Sequence, residues 1–259
     1  MTTLDSRQEP TQATEATVLA SSADLERLGS AQGELRRFLL EYRFGMEEVR
    51  TKISILQQEF LALHDHNPIE HVSSRLKTPA SILAKVTRKG VGPSLGVVRS
   101  TITDIAGLRV TCSFVSDVYR MAEMLTGQPD LTVLRVRDYI ARPKPNGYRS
   151  LHLLVSVPVF LSTSVVDVPV EIQLRTVAMD AWASLEHKIH YKYQADVPDD
   201  VTRPLLEAAE SANHMDTLME GLHHRVHSTT PIATGRHPAI LRDSQEGGTG
   251  PGALLGERA

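Results

Sequence analysis

Cysteine is nearly missing from this sequence. Cys112 is the only one in 259 residues, so an intramolecular disulfide is impossible and a cysteine-built zinc site is not expected. Its neighbours alternate apolar and polar, which marks it as a small core residue. There is also no apolar run near the ~18 residues that cross a bilayer, and residues 1–20 lack the basic-then-apolar order of a secretory leader. A cytoplasmic protein without a membrane partner is the expectation. Excess positive charge is absent too: 28 Lys and Arg against 31 Asp and Glu leave a net charge of −3. That balance excludes a protein that coats nucleic acid through global charge. Two metal motifs are missing. No Asp-x-Asp pair of the kind many nucleotidyltransferases carry occurs, and Glu186, His187 and His190 lack the His-Glu-x-x-His order of a zinc helix. His64-Asp65-His66 stands alone, without the dispersed ligands and separate domain that a metal-dependent hydrolase needs, so no hydrolase activity is expected.

The length suits one domain with a substantial core and dispensable ends. Residues 1–30 are rich in Thr, Ser, Ala, Gln and Glu without an apolar period, and residues 228–259 carry Gly247-Gly248 and Gly250-Pro251-Gly252 with little to bury. Both read as disordered tails around a domain at 31–227. From Leu35 onward, Leu39, Tyr42, Met46, Val49, Ile53, Leu56, Phe60 and Leu63 recur at helical spacing, predicting one long amphipathic helix. A second seam runs through Val201, Leu205, Ala208, Ala212, Met215, Met219 and Leu222. Packing within the chain is the favoured main contact of the two seams, and a homo-oligomer, a tetramer or dimer, is expected as well.

Between the helices the period changes to two. Within 107–114, Leu108, Val110, Cys112 and Phe114 share one face and Arg109, Thr111 and Ser113 the other. Within 168–175, Val168, Val170, Ile172 and Leu174 oppose Glu171, Gln173 and Arg175. Further strands are expected at 131–140 and 151–160, and a helix at 115–125. The pattern predicts an α/β (α+β) fold with a mixed four- to five-stranded sheet flanked by helices, and long helices at both ends.

A carboxylate inside a strand is costly unless it meets a cation or a donor. Glu171 is such a residue, and Asp104 closes the polar turn 100–104 just ahead of another strand. If the strands are neighbours, both can face one Mg²⁺, which takes one or two protein carboxylates and completes its shell with phosphate oxygens and water. A salt bridge to a nearby Arg is the competing reading for either acid alone. Two basic segments, 75–99 and 135–149, suit a focused anionic ligand. A helix from about Pro79 sets Ser81, Lys85 and Arg88 on one face, a surface fitting a triphosphate, with Arg75 and Lys77 upstream. The loop Arg142-Pro143-Lys144-Pro145-Asn146-Gly147-Tyr148-Arg149-Ser150 is stiffened by its prolines and turned at Asn146-Gly147. It delivers an aromatic flanked by cations, the composition for stacking a base while gripping phosphates. Residues 177–192 read as a helix with an apolar stripe at Ala178, Trp182, Leu185 and Ile189 and a polar one at Asp180, Ser184, His187 and Tyr191.

Four ordered segments, Asp104-Ile105-Ala106-Gly107-Leu108-Arg109, residues 142–152, Glu171-Ile172-Gln173-Leu174-Arg175-Thr176 and Trp182-Ala183-Ser184-Leu185-Glu186-His187-Lys188, resemble the synthetase domain of the RelA/SpoT family. The length resembles the stand-alone small alarmone synthetases. The resemblance implies transfer of pyrophosphate from ATP to the 3′-hydroxyl of GDP or GTP, giving ppGpp or pppGpp and AMP for the bacterial stringent response. It implies that Asp104 and Glu171 hold Mg²⁺ and that Glu171 takes the hydroxyl proton. Arg75 and Arg109 would sandwich the adenine, and Lys77, Ser81, Lys85 and Arg88 would hold the ATP phosphates. Tyr148 would stack the guanine, with Lys144 and His152 near the acceptor phosphates and Asp180 at the base edge; Gln173 and His187 complete the acceptor side. Some relatives carry Asn where this chain has Asp180. The alternative from another class is a catalytically silent nucleotide- or RNA-binding regulator on the same basic groove. The presence of both carboxylates argues against it, and RNA is not an expected partner.

Overall fold

A computed structural model describes residues 22–92, 94–193 and 198–227, and residues 1–21 and 228–259, most of the expected tails, lie outside the described residues. The chain divides into two units, Met1–Phe38 and Leu39–Ala259. Of the first only the opening turns of a helix are described, and the sheet and the site belong to the second. In chain order the elements are α1 (Ser22–Leu63), β1 (Ile69–Leu76), α2 (Pro79–Lys89), α3 (Leu95–Thr101), β2 (Ala106–Cys112), α4 (Val115–Thr126), β3 (Thr132–Asp138), β4 (Leu151–Phe160), β5 (Val165–Thr176), α5 (Val177–Tyr193) and α6 (Asp199–His227). Helix α1 thus starts inside the segment expected as a tail.

The five strands form one mixed sheet in the order β1-β2-β5-β4-β3. Only the central β2–β5 pair is parallel; β1–β2, β5–β4 and β4–β3 are antiparallel. The alternation in β2 and β5 does what it predicts. Leu108, Val110, Cys112, Val168, Val170, Ile172 and Leu174 are all buried, each apolar side chain of this size contributing ~1.5–3 kcal/mol on burial. Burial also pushes the Cys112 thiol up, away from reactivity. The apolar face is covered by α4, through Val118, Met121, Ala122 and Leu125, and by α1. At Gly45 the α1 backbone comes so close to β5 that an added Cβ would lie 2.7 Å from the Cβ of Val168, so only glycine fits that approach.

The structure differs from the pattern in four places. Strand β1 was not apparent in the sequence: among its residues only Ile69 is buried, and it is held at the sheet edge by pairing with β2. Helix α3 occupies the start of the expected polar turn, anchored by buried Val98. In α5 the apolar stripe is buried at Ala178 and Trp182 but exposed at Leu185 and Ile189. In α6 the seam is displaced: Ala209 and Asp216 are buried, while Met215, Met219 and Leu222 are exposed. Helix α6 meets α5 instead through Ala209 and Ala212 against Trp182, whose indole N–H donates to the Leu205 carbonyl at 2.9 Å.

Candidate active site

The other face of the sheet carries the chemistry, because the strand register lines up its polar residues in rows. Arg75 pairs with Gly107, which pairs with Glu171; Ser73 pairs with Arg109, which pairs with Gln173, which pairs with His152. The parallel pairing of β2 and β5 therefore brings Asp104, just ahead of β2, and Glu171 into one cleft of about 310 Å³. Arg75, Lys77, Gly107, Arg109 and Gln173 line it as well.

On one side of the cleft, both lysines expected at the phosphates converge on Asp104. Its Oδ2 accepts from Lys77 Nζ at 2.8 Å and Lys85 Nζ at 2.6 Å. Burial pushes the Asp104 carboxyl up, but the two ammonium groups outweigh it and hold it below its ordinary range. Its Oδ1 is buried without a hydrogen-bond partner, a loss of roughly 1–3 kcal/mol unless a ligand answers it. Glu171 feels the Asp104 charge. Two facing carboxylates, one with an unanswered buried oxygen, are a donor set that fits a hard divalent cation completed by phosphate and water. Among the described residues no group of three or more His, Cys, Asp or Glu converges to hold a metal by itself.

On the other side most groups answer one another, although Arg175 Nε is buried without a hydrogen-bond partner. Glu171 Oε1 meets His152 Nδ1 at 3.2 Å, and Glu171 Oε2 accepts from Gln173 Nε2 at 3.1 Å. Burial acts to raise the Glu171 carboxyl, yet these partners leave it lowered. Burial depresses the His152 imidazole despite Glu171 beside it. His152 Nε2 lies 2.7 Å from the Tyr148 hydroxyl. Arg175, almost fully buried, donates to that hydroxyl at 2.6 Å, to Gln173 Oε1 at 2.9 Å and to Asp180 Oδ1 at 3.1 Å. Asp180 Oδ1 also lies 3.2 Å from Arg109 NH1. Lys144 Nζ sits 4.6 Å from the Tyr148 ring centre and 4.7 Å from that of Tyr139, contacts of the cation–π type.

The loop that presents Lys144 and Tyr148 turns at Gly147, whose φ of +85° needs glycine. An added Cβ there would lie 2.5 Å from Ala209 Cβ on α6. Asn146 fastens the loop to α5 by donating to Glu186 Oε1 at 3.1 Å.

Asp104, Glu171, Lys77, Lys85, Arg109, Gln173, His152, Tyr148, Lys144 and Asp180 are thus joined by contacts or by the cleft, which Arg75 also lines. Three expected residues are not part of that web. The Ser81 hydroxyl accepts from Thr78 Oγ1 at 2.9 Å at the start of α2, whereas Arg88 and His187 are exposed; the Tyr191 side chain lies outside the described residues. Arg175 and Tyr139 were not on the expected list. Arg175 could have been found, since alternation put it on the polar face with Glu171 and Gln173. Nothing near Tyr139 in the sequence signals that its ring closes over Lys144.

A nucleotide-transfer enzyme is the class this face defines: paired carboxylates at the centre of a mixed sheet, cations on one flank and aromatic rings on the other. Residues 74–196 match the region found in RelA / SpoT proteins. The chain is 46% identical over 202 residues to GTP pyrophosphokinase YwaC of Bacillus subtilis (strain 168), covering 78% of this chain and 96% of that one. It is 43% identical over 183 residues to GTP pyrophosphokinase YjbM of the same organism, covering 71% and 85%. Among solved structures, small alarmone synthetase 1 from Bacillus subtilis bound to its product pppGpp superposes with a TM-score of 0.70 at 41% identity, covering 75% of this chain and 99% of that one. Small alarmone synthetase 2 from the same organism gives 0.68 at 47%, covering 74% and 99%. The chain belongs to the RelA/SpoT family, among its small alarmone synthetases.

Proposed function

We propose that this chain is a (p)ppGpp synthetase that moves the β,γ-pyrophosphate of ATP onto the 3′-hydroxyl of GDP or GTP. The observation that carries this reading is the meeting of Asp104 and Glu171 in one cleft between a lysine-lined flank and the Tyr148 pocket. The acceptor 3′-oxygen attacks the β-phosphorus of ATP, the bond from that phosphorus to the bridging oxygen of the α-phosphate breaks, and AMP leaves. The hydroxyl proton passes to Glu171, whose lowered pKa keeps it ionised and ready to accept. Asp104 and Glu171 would hold Mg²⁺, which when bound neutralises charge on the phosphates.

Lys77 and Lys85 trade Asp104 for the ATP phosphates, with Arg88 further along α2. Arg75 is a diagonal neighbour of Arg109 across β1 and β2, a relation that sets the two residues ~7–8 Å apart, within reach of long side chains. Two guanidinium groups carried on such neighbours can close on the two faces of one adenine ring. Tyr148 stacks the guanine, Lys144 and His152 attend the acceptor phosphates, and Asp180 accepts from the base edge. Met215, Leu218, Met219, Leu222 and Val226 are exposed along α6, an apolar surface suited to a dimer or tetramer. Light scattering on the purified protein tests that assembly, and a monomer at all concentrations removes it.

The function is tested by incubating the protein with Mg²⁺, GDP or GTP, and ATP labelled at the β or γ phosphate. Both labels should move together onto guanosine. Release of free pyrophosphate would indicate nucleotidyl transfer instead, and absence of turnover a binding protein.

A further inference from the structure

Asp180 forms ion contacts with an arginine on each flank of the cleft. It stands in the first turn of α5, and its Oδ1 faces Arg175 NH1 at 3.1 Å and Arg109 NH1 at 3.2 Å. Arg175 is 5% exposed and fixes the Tyr148 hydroxyl and Gln173. Arg109 is 38% exposed and lines the cleft floor beside Arg75. One oxygen therefore ties a locked arginine under the guanine pocket to a freer arginine on the adenine side. The Lys77–Asp104–Lys85 cluster, by contrast, stays on the donor side.

A guanidinium presents two separate surfaces to its partners. Its edge N–H groups pair with a carboxylate while its flat face stays open for a base. An adenine stacked on Arg109 thus need not displace Asp180; it holds Arg109 still, and with it the carboxylate on its edge. The two ion contacts both fall on Oδ1, so Oδ2 keeps its lone pairs for the N1–H and amino group of guanine. Ordering either side therefore orders a group that the other side uses.

Resting on the pyrophosphate-transfer reading above, we propose that Asp180 is a positioning residue that couples the two nucleotide subsites, so that each nucleotide tightens the binding of the other. Its negative charge is what does this. An asparagine could still accept from guanine through its amide oxygen, but it holds two guanidinium groups far less firmly than a carboxylate does. The carboxylate at this position accordingly makes binding cooperative, beyond recognising the base.

The test is calorimetric titration with Mg²⁺ and α,β-methylene ATP, whose Pα–C–Pβ bridge cannot break, in the absence and presence of saturating GDP. The native protein should bind the analogue about tenfold more tightly with GDP present, within the usual range for coupled sites. By linkage GDP should tighten by the same factor when the analogue is present. In Asp180→Asn the ratio should fall to within about twofold of unity. A residue that merely supported the fold would weaken both affinities and leave their ratio unchanged, and that result overturns the proposal. Asp180→Ser is the second neutral variant should the asparagine chain misfold, with thermal unfolding reporting on both. If both nucleotides bind the native protein without affecting each other, the coupling falls and the enzymatic reading stands. If neither nucleotide binds, the enzymatic reading falls and the coupling with it.

Discussion

The two flanks of the cleft are built on opposite principles. On the proposed donor flank, Lys77 and Lys85 converge on a single oxygen of Asp104 and leave its other oxygen buried and unanswered. On the acceptor flank, buried Arg175 joins Tyr148, Gln173 and Asp180, and His152 continues the chain to Glu171. On the proposed reading the donor side holds two ammonium groups on Asp104 that a highly charged ligand would take over. The acceptor side has its geometry fixed before any ligand arrives, as suits recognition of one base and one hydroxyl. Under the proposed assignment of the flanks, the difference would let a polyphosphate be met by exchangeable charge and a nucleoside by a hydrogen-bonded frame.

The largest break in this comparison should come at the seam between the flanks. Glu171→Gln keeps the shape and removes the proton acceptor, so turnover should fall about 10²–10⁴-fold while calorimetry still detects ATP binding. Unchanged turnover would remove Glu171 from the mechanism. Next in size is Gly147→Ala, which forces a side chain onto a φ of +85° and against Ala209. Strain and overpacking together should cost about 2–4 kcal/mol in chemical denaturation, and the Michaelis constant for GDP should rise more than that for ATP. Equal rises would mean that the loop does not belong to the acceptor flank.

Lys85→Ala should raise the Michaelis constant for ATP about tenfold, the size of one lost charge-assisted contact, and leave that for GDP nearly unchanged. The smallest effect concerns the support beneath the acceptor flank. Asp216 on α6 accepts from Thr176 Oγ1 at 2.7 Å, and Thr176 Oγ1 in turn accepts from the Met179 amide at 3.1 Å in the first turn of α5. Burial raises the Asp216 carboxyl above its ordinary value. A group with a raised folded-state pKa contributes stability that is full below its unfolded pKa and lost as pH rises through the folded one. Asp216→Asn keeps an acceptor for Thr176 and removes that ionisation, so it should be neutral or stabilising by up to about 1 kcal/mol near pH 7. The advantage should vanish below pH 4, as thermal melts across pH can show.

Much of this molecule was legible because the relevant physics is local. Period-two alternation located β2 and β5 and placed Glu171, Gln173 and Arg175 on one face, β3 and β4 were expected as further strands, and the proline-stiffened Asn146-Gly147 turn marked the loop that carries Tyr148. Strand β1 escaped notice because an edge strand with a polar sequence is held by its neighbour's backbone hydrogen bonds, not by its own apolar pattern. The exposed stripe on α6 misled for a related reason. Apolar spacing shows that a face can be buried but not against what, and here α5 takes the Ala209 and Ala212 side.

Sequence alone determined the inventory: two carboxylates, the lysines and arginines that complement them, and the helices and strands that carry them. The spacing of those residues along the chain is enough to say what charge and what rings each element brings. Tertiary structure alone decided that β2 and β5 lie side by side and parallel, which sets Asp104 and Glu171 in one cleft. It also decided that Arg109 and Arg175 share Asp180. Strand order and cross-strand register depend on how distant segments pack, and no local pattern encodes which strand becomes the neighbour of which.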